Sequence, residues 1–232
     1  RGDVTRTWRE VADGAARAAA GLKEAGVGHG DRVVLVGTHH PDFYAAWLGT
    51  AWLGAIPTVL AEPGVRIHKE VYASRLAALV ERITAKVIAV DPRVILPDGA
   101  AGTASTASYS GLATTDGPTP PQADVALDDI LLLQHSSGTT GLQKGVELSH
   151  RAVLAHADSY VRVTGLDRDA VVASWLPLYH DMGLIACFLG PLLAGTSVAW
   201  LSPFEWVASP QSLLDAVARF GATHAWLPNF AF

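Results

Sequence analysis

The sequence predicts an α/β fold, parallel-type sheets layered between flanking helices, and three observations carry that expectation. Short apolar runs of strand length recur along the chain, amphipathic stretches of helix length stand between them, and Gly, Pro, Asn, Asp and Ser mark the boundaries. Strands that alternate with helices in this way build parallel sheets, because the crossover back to the same sheet edge is long enough to hold a helix. The chain has 232 residues, half of them hydrophobic, and at that length folding buries roughly 70% of the surface the unfolded chain exposes. A sizeable core in one or two domains is therefore expected.

Taken in order, Thr7-Trp8-Arg9-Glu10 has the form of a capping box and opens an Ala-rich helix that stops near Gly26. Arg32 to Val36 is a short apolar run suited to a buried strand. Pro41 fits the first turn of a helix through Trp52, where its missing N–H costs nothing. A strand from Ile56 to Leu60, a helix from Lys69 to Ile83 and a strand from Lys86 to Val90 follow, which makes residues 1–97 a first α/β portion. Residues 98–127 are poor in large apolar side chains and rich in Gly, Ala, Ser, Thr and Pro, the composition of a surface loop or linker. A second α/β portion, 128–232, begins with a strand from Ile130 to Gln134, a Gly-rich loop, a strand from Gly145 to Leu148 and a helix capped by Ser149. Then come a strand from Val171 to Trp175, the turn LPLYHD, a helix from about Met182 to Leu193 and a strand from Ser197 to Leu201. A helix after Ser209-Pro210 ends at Gly221, and a last strand from His224 to Leu227 leads into Pro228-Asn229-Phe230.

Composition narrows the function. A net charge of −5 with scattered Lys and Arg offers no basic stripe for nucleic acid. One cysteine, Cys187, excludes an internal disulfide framework and fits a reducing compartment, so the cytoplasm is the expected location. Phe43 to Ala61 and Met182 to Phe204 are long and uncharged enough to be weighed as membrane spans. Gly54 and Pro57 break the first, and Gly190-Pro191, Gly195-Thr196-Ser197 and Pro203 break the second, so both read as helix, turn and buried strand. No repeat of solenoid or propeller period is present. His39-His40 precedes Pro41 at a strand end, and His150 and His156 are spaced so that they do not share one helical face, so no metal site is expected from them.

The segment "HSSGTTGLQKG", residues 135–145, lies between two strand-like runs. Counted from Gly138, the second glycine of a P-loop would fall on Gln143, and Gly145 follows Lys144 where Ser or Thr is required. The dinucleotide fingerprint fails too, since Asp31 stands at the third glycine position after Gly26 and Gly28. There is no G-x-S-x-G elbow for a hydrolase serine. The physics still suits an anion: glycines at 138, 141 and 145 let backbone N–H groups converge, Ser136, Ser137, Thr139 and Thr140 add short donors, and Lys144 adds a charge at the rim. A solvated hairpin loop with ordinary turn residues has the same composition.

SSGTTGLQKG resembles the phosphate-binding signature of the adenylate-forming, or AMP-binding, superfamily, which includes acyl-CoA synthetases, fatty acyl-AMP ligases, luciferases and peptide-synthetase adenylation domains. Trp175-Leu-Pro-Leu-Tyr-His-Asp-Met-Gly-Leu184 is similar to the second signature of that family, and Gly54-Ala-Ile-Pro57 is similar to the Gly-Ala-x-Pro before an early strand. Gln143 departs from the usual Pro before the lysine, a change in loop stiffness more than in charge. "LPLYHDMGLI", "LLAG", "SPF" and "LPNF" resemble fatty acyl-AMP ligases and long-chain acyl-CoA synthetases in particular.

The resemblance implies the large N-terminal domain of these enzymes, ATP and Mg²⁺ as cofactors, a fatty or other carboxylic acid as substrate, and coenzyme A or an acyl carrier protein as the acceptor. It implies that Ser136, Ser137, Gly138, Thr139, Thr140 and Gly141 wrap the triphosphate, with Lys144 near the leaving pyrophosphate. His180 would stand beside the acyl carboxylate and the α-phosphate, as a donor and not a metal ligand. Tyr179, Met182 and Asn229 would border the acid. From local sequence alone, His180-Asp181 reads equally as a helix cap, for which Asp181 is suited, and Tyr179 and Met182 read equally as core. The family's Glu, Asp, hinge and second-lysine segments are not found in these residues, so the expectation is the N-terminal portion of a longer enzyme, inactive by itself. The alternative is a non-catalytic module that binds a nucleotide or a partner.

Overall fold

The computed structural model describes residues 3–37, 39–64, 67–135 and 144–231. The chain divides into two compact units, Arg1–His150 and Arg151–Phe232.

In the first unit, helix α1 (Trp8–Glu24) opens with the expected capping box: Thr7 Oγ1 accepts from the Glu10 N–H, and the Glu10 carboxylate accepts from the Thr7 N–H at 2.7 Å. Such a cap stabilises a helix by about 1 kcal/mol. Its alanines let α1 lie close on α2 (Phe43–Trp52), with Ala15, Ala18, Ala19 and Leu22 buried. Helix α2 starts at Phe43 with Asp42 at its N-cap, so Pro41 precedes the helix and is not in its first turn. The pairing Ser110 Oγ to Asp42 Oδ2 at 2.8 Å holds Asp42 in place there.

Strands β1 (Arg32–Val36) and β2 (Ile56–Leu60), helix α3 (Lys69–Ile83) and strand β3 (Ala85–Val90) follow as expected. The sheet is parallel, in order β2-β1-β3-β4, and the central strands are apolar on both faces because helices cover them. Residues 98–127, expected as a surface loop or linker, contain regular elements. They supply β4 (Ser105–Ser108), which extends the sheet parallel to β3, and α4 (Tyr109–Ala113). An edge strand is held through its backbone, so β4 needs no apolar side chain, and Tyr109 anchors the segment, fully buried edge-on to Phe43 at 5.8 Å. Strands β5 (Ile130–His135) and β6 (Gly145–Ser149) pair antiparallel, a departure from the parallel pattern. They are sequence neighbours joined by a loop too short for a crossover. Strand β5 packs against β2, with His135 Nδ1 to Thr58 Oγ1 at 2.8 Å, and 128–150 therefore belongs to the first unit.

The second unit starts along α5 (His150–Thr164) and holds the parallel pair β7 (Val171–Ser174) and β8 (Ser197–Trp200). The expected single helix from Met182 is two pieces, a π-helix Met182–Leu189 and α6 (Gly190–Ala194). Pro191 has no N–H for the ladder, and the hydrogen-bond register changes beside it. Helix α7 (Pro203–Ala208), absent from the sequence reading, begins where Ser202 Oγ accepts from Phe204 N–H, and α8 (Gln211–Phe220) ends at Gly221 as expected. The expected strand at His224 is a single bridge to Val172. The apolar stretches weighed as membrane spans fold into these short elements, and among the described residues no helix is long and apolar enough to cross a membrane. The tryptophans Trp175 and Trp206 stack at 3.8 Å inside the core of this unit, packing side chains and not an exposed base-stacking platform.

Candidate functional site

In the first unit, β5 carries Leu131, Leu132 and Leu133 into the core and delivers His135 to the point where the Gly-rich loop begins. His135 pairs across the ladder with Gly145, the first residue of β6, so both ends of the loop lie at one place on the sheet. His135 is buried, and its Nδ1 is 2.8 Å from Thr58 Oγ1 on β2. Burial, helped by the Arg82 charge, pushes this imidazole down to about 4, so the ring is neutral at ordinary pH. Its Nε2 is also buried and has no hydrogen-bond partner among the described residues. A Cβ on Gly145 would stand 3.3 Å from that Nε2 and 2.8 Å from Leu133 Cδ1, so the ring closes over a glycine. Lys144 is exposed immediately before β6. Ser136, Ser137, Gly138, Thr139, Thr140 and Gly141, the positions expected to hold phosphate, lie outside the described residues.

In the second unit, β7 ends at Ser174 and the chain turns through Trp175-Leu-Pro-Leu-Tyr-His-Asp181 into the π-helix. The turn is closed by His180 N–H to Pro177 O at 3.1 Å and Leu184 N–H to His180 O at 2.9 Å. Gly183 packs directly on the Pro177 and Leu176 carbonyls, a space that no Cβ could share. Asp181 caps the helix, its Oδ1 accepting from Met182 N–H at 2.7 Å. His180 Nδ1 lies 2.6 Å from the same carboxylate and 3.3 Å from the Met182 backbone N, so this edge of the ring faces the helix start. The His180 side chain is 58% exposed. Tyr179 and Met182 flank it and are partly exposed, not core, while Asn229 is exposed at the start of a 3₁₀ turn, Asn229–Ala231. The turn thus brings Tyr179, His180 and Met182 together and satisfies the capping reading of Asp181 at the same time.

Two features escaped the sequence reading. One is His135 itself, whose only sequence signal is its place between an apolar strand and a Gly-rich loop. The other is a polar rim at the C-terminal ends of β2 and β3. Asp91 is buried and bound in two-pronged fashion by Arg93, with Nε to Oδ1 at 2.9 Å and Nη2 to Oδ2 at 2.5 Å, and Arg93 also reaches His39 O at 2.9 Å. Burial works to raise the Asp91 carboxyl, but the hydrogen bonds and charge of Arg93 outweigh it and hold it below the usual range. Glu62 is raised by burial and by the Asp91 charge, and His40 is lowered by burial. With its carboxylate taken by Arg93, Asp91 serves as a fastening of the loop after β3 and not as a free base.

Among the described residues no three His, Cys, Asp or Glu side chains converge as metal ligands.

A model of the family of AMP-binding enzymes matches residues 1–232. The chain is 31% identical to the long-chain-fatty-acid–AMP ligase FadD26 of Mycobacterium marinum, over 98% of this chain and 40% of that protein. It is 36% identical to 4-coumarate–CoA ligase 5 of Oryza sativa subsp. japonica, over 90% of this chain and 40% of that protein. Its fold superposes on the fatty acyl-adenylate ligase of L. pneumophila, solved in complex with acyl adenylate and pyrophosphate, with a TM-score of 0.86 at 24% identity, covering 98% of this chain and 40% of that one. The chain spans about two fifths of the length of the curated relatives it matches. Matched from one end to the other and carrying the α/β architecture of the N-terminal part of such ligases, it belongs to the AMP-binding enzyme family.

Proposed function

We propose that this chain is the N-terminal portion of an ATP-dependent ligase that activates a carboxylic acid, most suitably a fatty acid, and passes it to coenzyme A or a carrier protein. One observation carries the reading: SSGTTGLQKG and WLPLYHDMGL stand in order within a chain that the AMP-binding family model matches over its full length. A carboxylate is a poor electrophile, and activation joins one of its oxygens to the α-phosphorus of ATP while the α–β phosphoanhydride bond breaks and pyrophosphate leaves with the electron pair. Both reactants are anions, so the protein must supply donors aimed at the phosphates before they arrive.

In this reading Ser136 to Gly141 hold the triphosphate tail, with Thr139 and Thr140 as hydroxyl donors and Lys144 as the charge beside the leaving pyrophosphate. His180 touches the acid and the α-phosphate through Nε2, with Asp181 holding the ring from its Nδ1 edge. Tyr179 and Met182 border the acyl chain, an apolar edge next to a polar head, and Asn229 lines the acid from the 3₁₀ turn. The test is pyrophosphate release by the protein at the length its gene encodes, over a panel of acids, with coenzyme A and holo-carrier protein as alternative acceptors. ATP-dependent release with at least one acid is expected; no response to any acid defeats the enzyme reading and leaves a nucleotide- or partner-binding module.

A further inference from the structure

We propose that Trp206 is a positioning residue for the acid: stacked on Trp175 and flanked by Phe230, it locks the turn that carries His180 to the turn that carries Asn229. The inference rests on the ligase reading above, in which those two residues face the acid, and adds a third that touches neither reactant. All of these residues belong to the second unit.

The backbone brings three segments to one edge. Strand β8 runs parallel to β7, and Leu201 N–H donates to Ser174 O at 2.9 Å, which carries the ladder one residue past the end of β8. On the other side of β7, Val172 bridges to His224 in parallel, with Ala173 N–H donating to His224 O at 2.9 Å. Three segments therefore leave this small sheet in one direction, at the carboxyl edge where open α/β sheets hold ligands. One enters the turn 175–181, one enters α7 through Ser202, and one runs through Pro228 into the 3₁₀ turn Asn229–Ala231.

An aromatic side chain from each segment meets the other two at this exit. Trp175 and Trp206 stack with centroids 3.8 Å apart and planes 4° from parallel. Phe230 leans on both, 6.3 Å from Trp175 and 6.2 Å from Trp206. Trp206 is held in its turn by α7, where its N–H donates to Ser202 O at 3.0 Å.

Core filling alone does not account for this arrangement. Two aromatic rings left to themselves take an offset or edge-on geometry, so the full overlap here is imposed by the segments that carry them. Trp175 Nε1 is buried without a hydrogen-bond partner among the described residues, a cost that Phe or Leu would avoid. Phe230 stays 75% exposed, so the triad ends at the surface and buries little through this member. What the three rings supply is a fixed relation between two turns, and large rigid side chains with two torsions each do this at low cost in freedom. An acid held by His180 and Asn229 binds more tightly when both are already in place. None of the three rings carries a charge, so the effect falls on the acid and not on the phosphates of ATP.

The test uses ATP–pyrophosphate exchange by the protein at the length its gene encodes, with KM for the acid, KM for ATP and kcat measured separately on a short and a long acid. Trp206→Leu is expected to raise KM for the acid about tenfold, with KM for ATP and kcat within about twofold. Trp206→Phe, which keeps a ring against Trp175, is expected to return most of that loss. Phe230→Ala is expected to raise the same KM about fivefold, and the double variant Trp206→Leu with Phe230→Ala to stay near tenfold, well short of the product, because both changes open one clamp. The rise should be equal for the two acids, since the clamp places the carboxylate end and not the chain. Should Trp206→Leu fail to fold, Phe230→Ala decides the matter, because so exposed a side chain contributes little to stability. An unchanged KM for the acid in Phe230→Ala overturns the proposal, as does a rise confined to the long acid, which would make these rings a wall for the chain. A fall in kcat and melting temperature with KM unmoved overturns it too. A wild-type protein without exchange on any acid defeats the ligase reading itself; an active wild type whose variants keep the KM for the acid defeats only the role of Trp206.

Discussion

His135, at the end of β5, and His180, in the turn after β7, are each tied at Nδ1, but to partners of different kinds and in different surroundings. His135 meets a hydroxyl at 2.8 Å inside the protein, and burial drives its pKa down to about 4. His180 meets a carboxylate at 2.6 Å and keeps 58% of its side chain exposed. A neutral buried ring with a neutral partner can only hold positions. An exposed ring backed by a carboxylate keeps its far edge open to solvent, and so can meet a ligand. The difference teaches that a histidine beside a signature motif is not functional in one way only: burial and the partner's charge decide whether it positions or participates.

The sharpest test of the second region is its backbone. Gly183→Ala places a methyl group against the Pro177 and Leu176 carbonyls, which cannot move aside without opening the turn. A loss of about 3 kcal/mol in unfolding free energy is expected, read from urea denaturation, together with loss of the exchange activity. At Gly145, by contrast, an added Cβ meets the tip of Leu133 first, which can rotate. Equal losses at the two glycines would break the contrast between a turn closed by backbone and a strand start closed by side chains.

His180→Ala comes next. It is expected to slow ATP–pyrophosphate exchange about 100-fold while the melting temperature stays within about 2 °C, because Asp181 still caps the helix through Met182 N–H. A large fall in melting temperature would make His180 structural, like His135. The smallest effect is on acid stability. The native pKa of His135 lies below its ordinary value, so the unfolded chain binds the proton first; stability is complete above pH 6.5 and declines as pH falls toward about 4. The loss is on the order of 2 kcal/mol, and Thr58→Val or His135→Phe, followed by thermal unfolding from pH 7 to 4.5, should flatten that part of the profile for the phenylalanine variant alone.

Much of the architecture was legible because it rests on local signals. The capping box at Thr7 and Glu10, the apolar run Val33 to Val36 and the 3.6-residue pattern of Lys69–Ile83 each act over a few residues. The segment 98–127 was not legible, because β4 pairs through its backbone and one side chain, Tyr109, anchors it in a core built mainly by other segments. The break of the Met182 helix into π and α pieces, and the short helix Pro203–Ala208, likewise depend on packing against neighbours. In the candidate site, His180 and Asp181 could be named because motif and cap are contiguous, whereas the His135–Thr58 pair joins residues 77 positions apart.

By itself the sequence determined the strand–helix alternation, the helix cap at Thr7, the family signatures and the identity of the groups offered to an anion, since each depends on residue type and short-range spacing. Only the tertiary structure decided which of those groups are held and how. Burial sets whether an imidazole is neutral, a partner across the fold sets which nitrogen is engaged, and a carbonyl that happens to lie against Gly183 sets which position tolerates no side chain. Those are properties of distance in space, and no spacing along the chain encodes them directly.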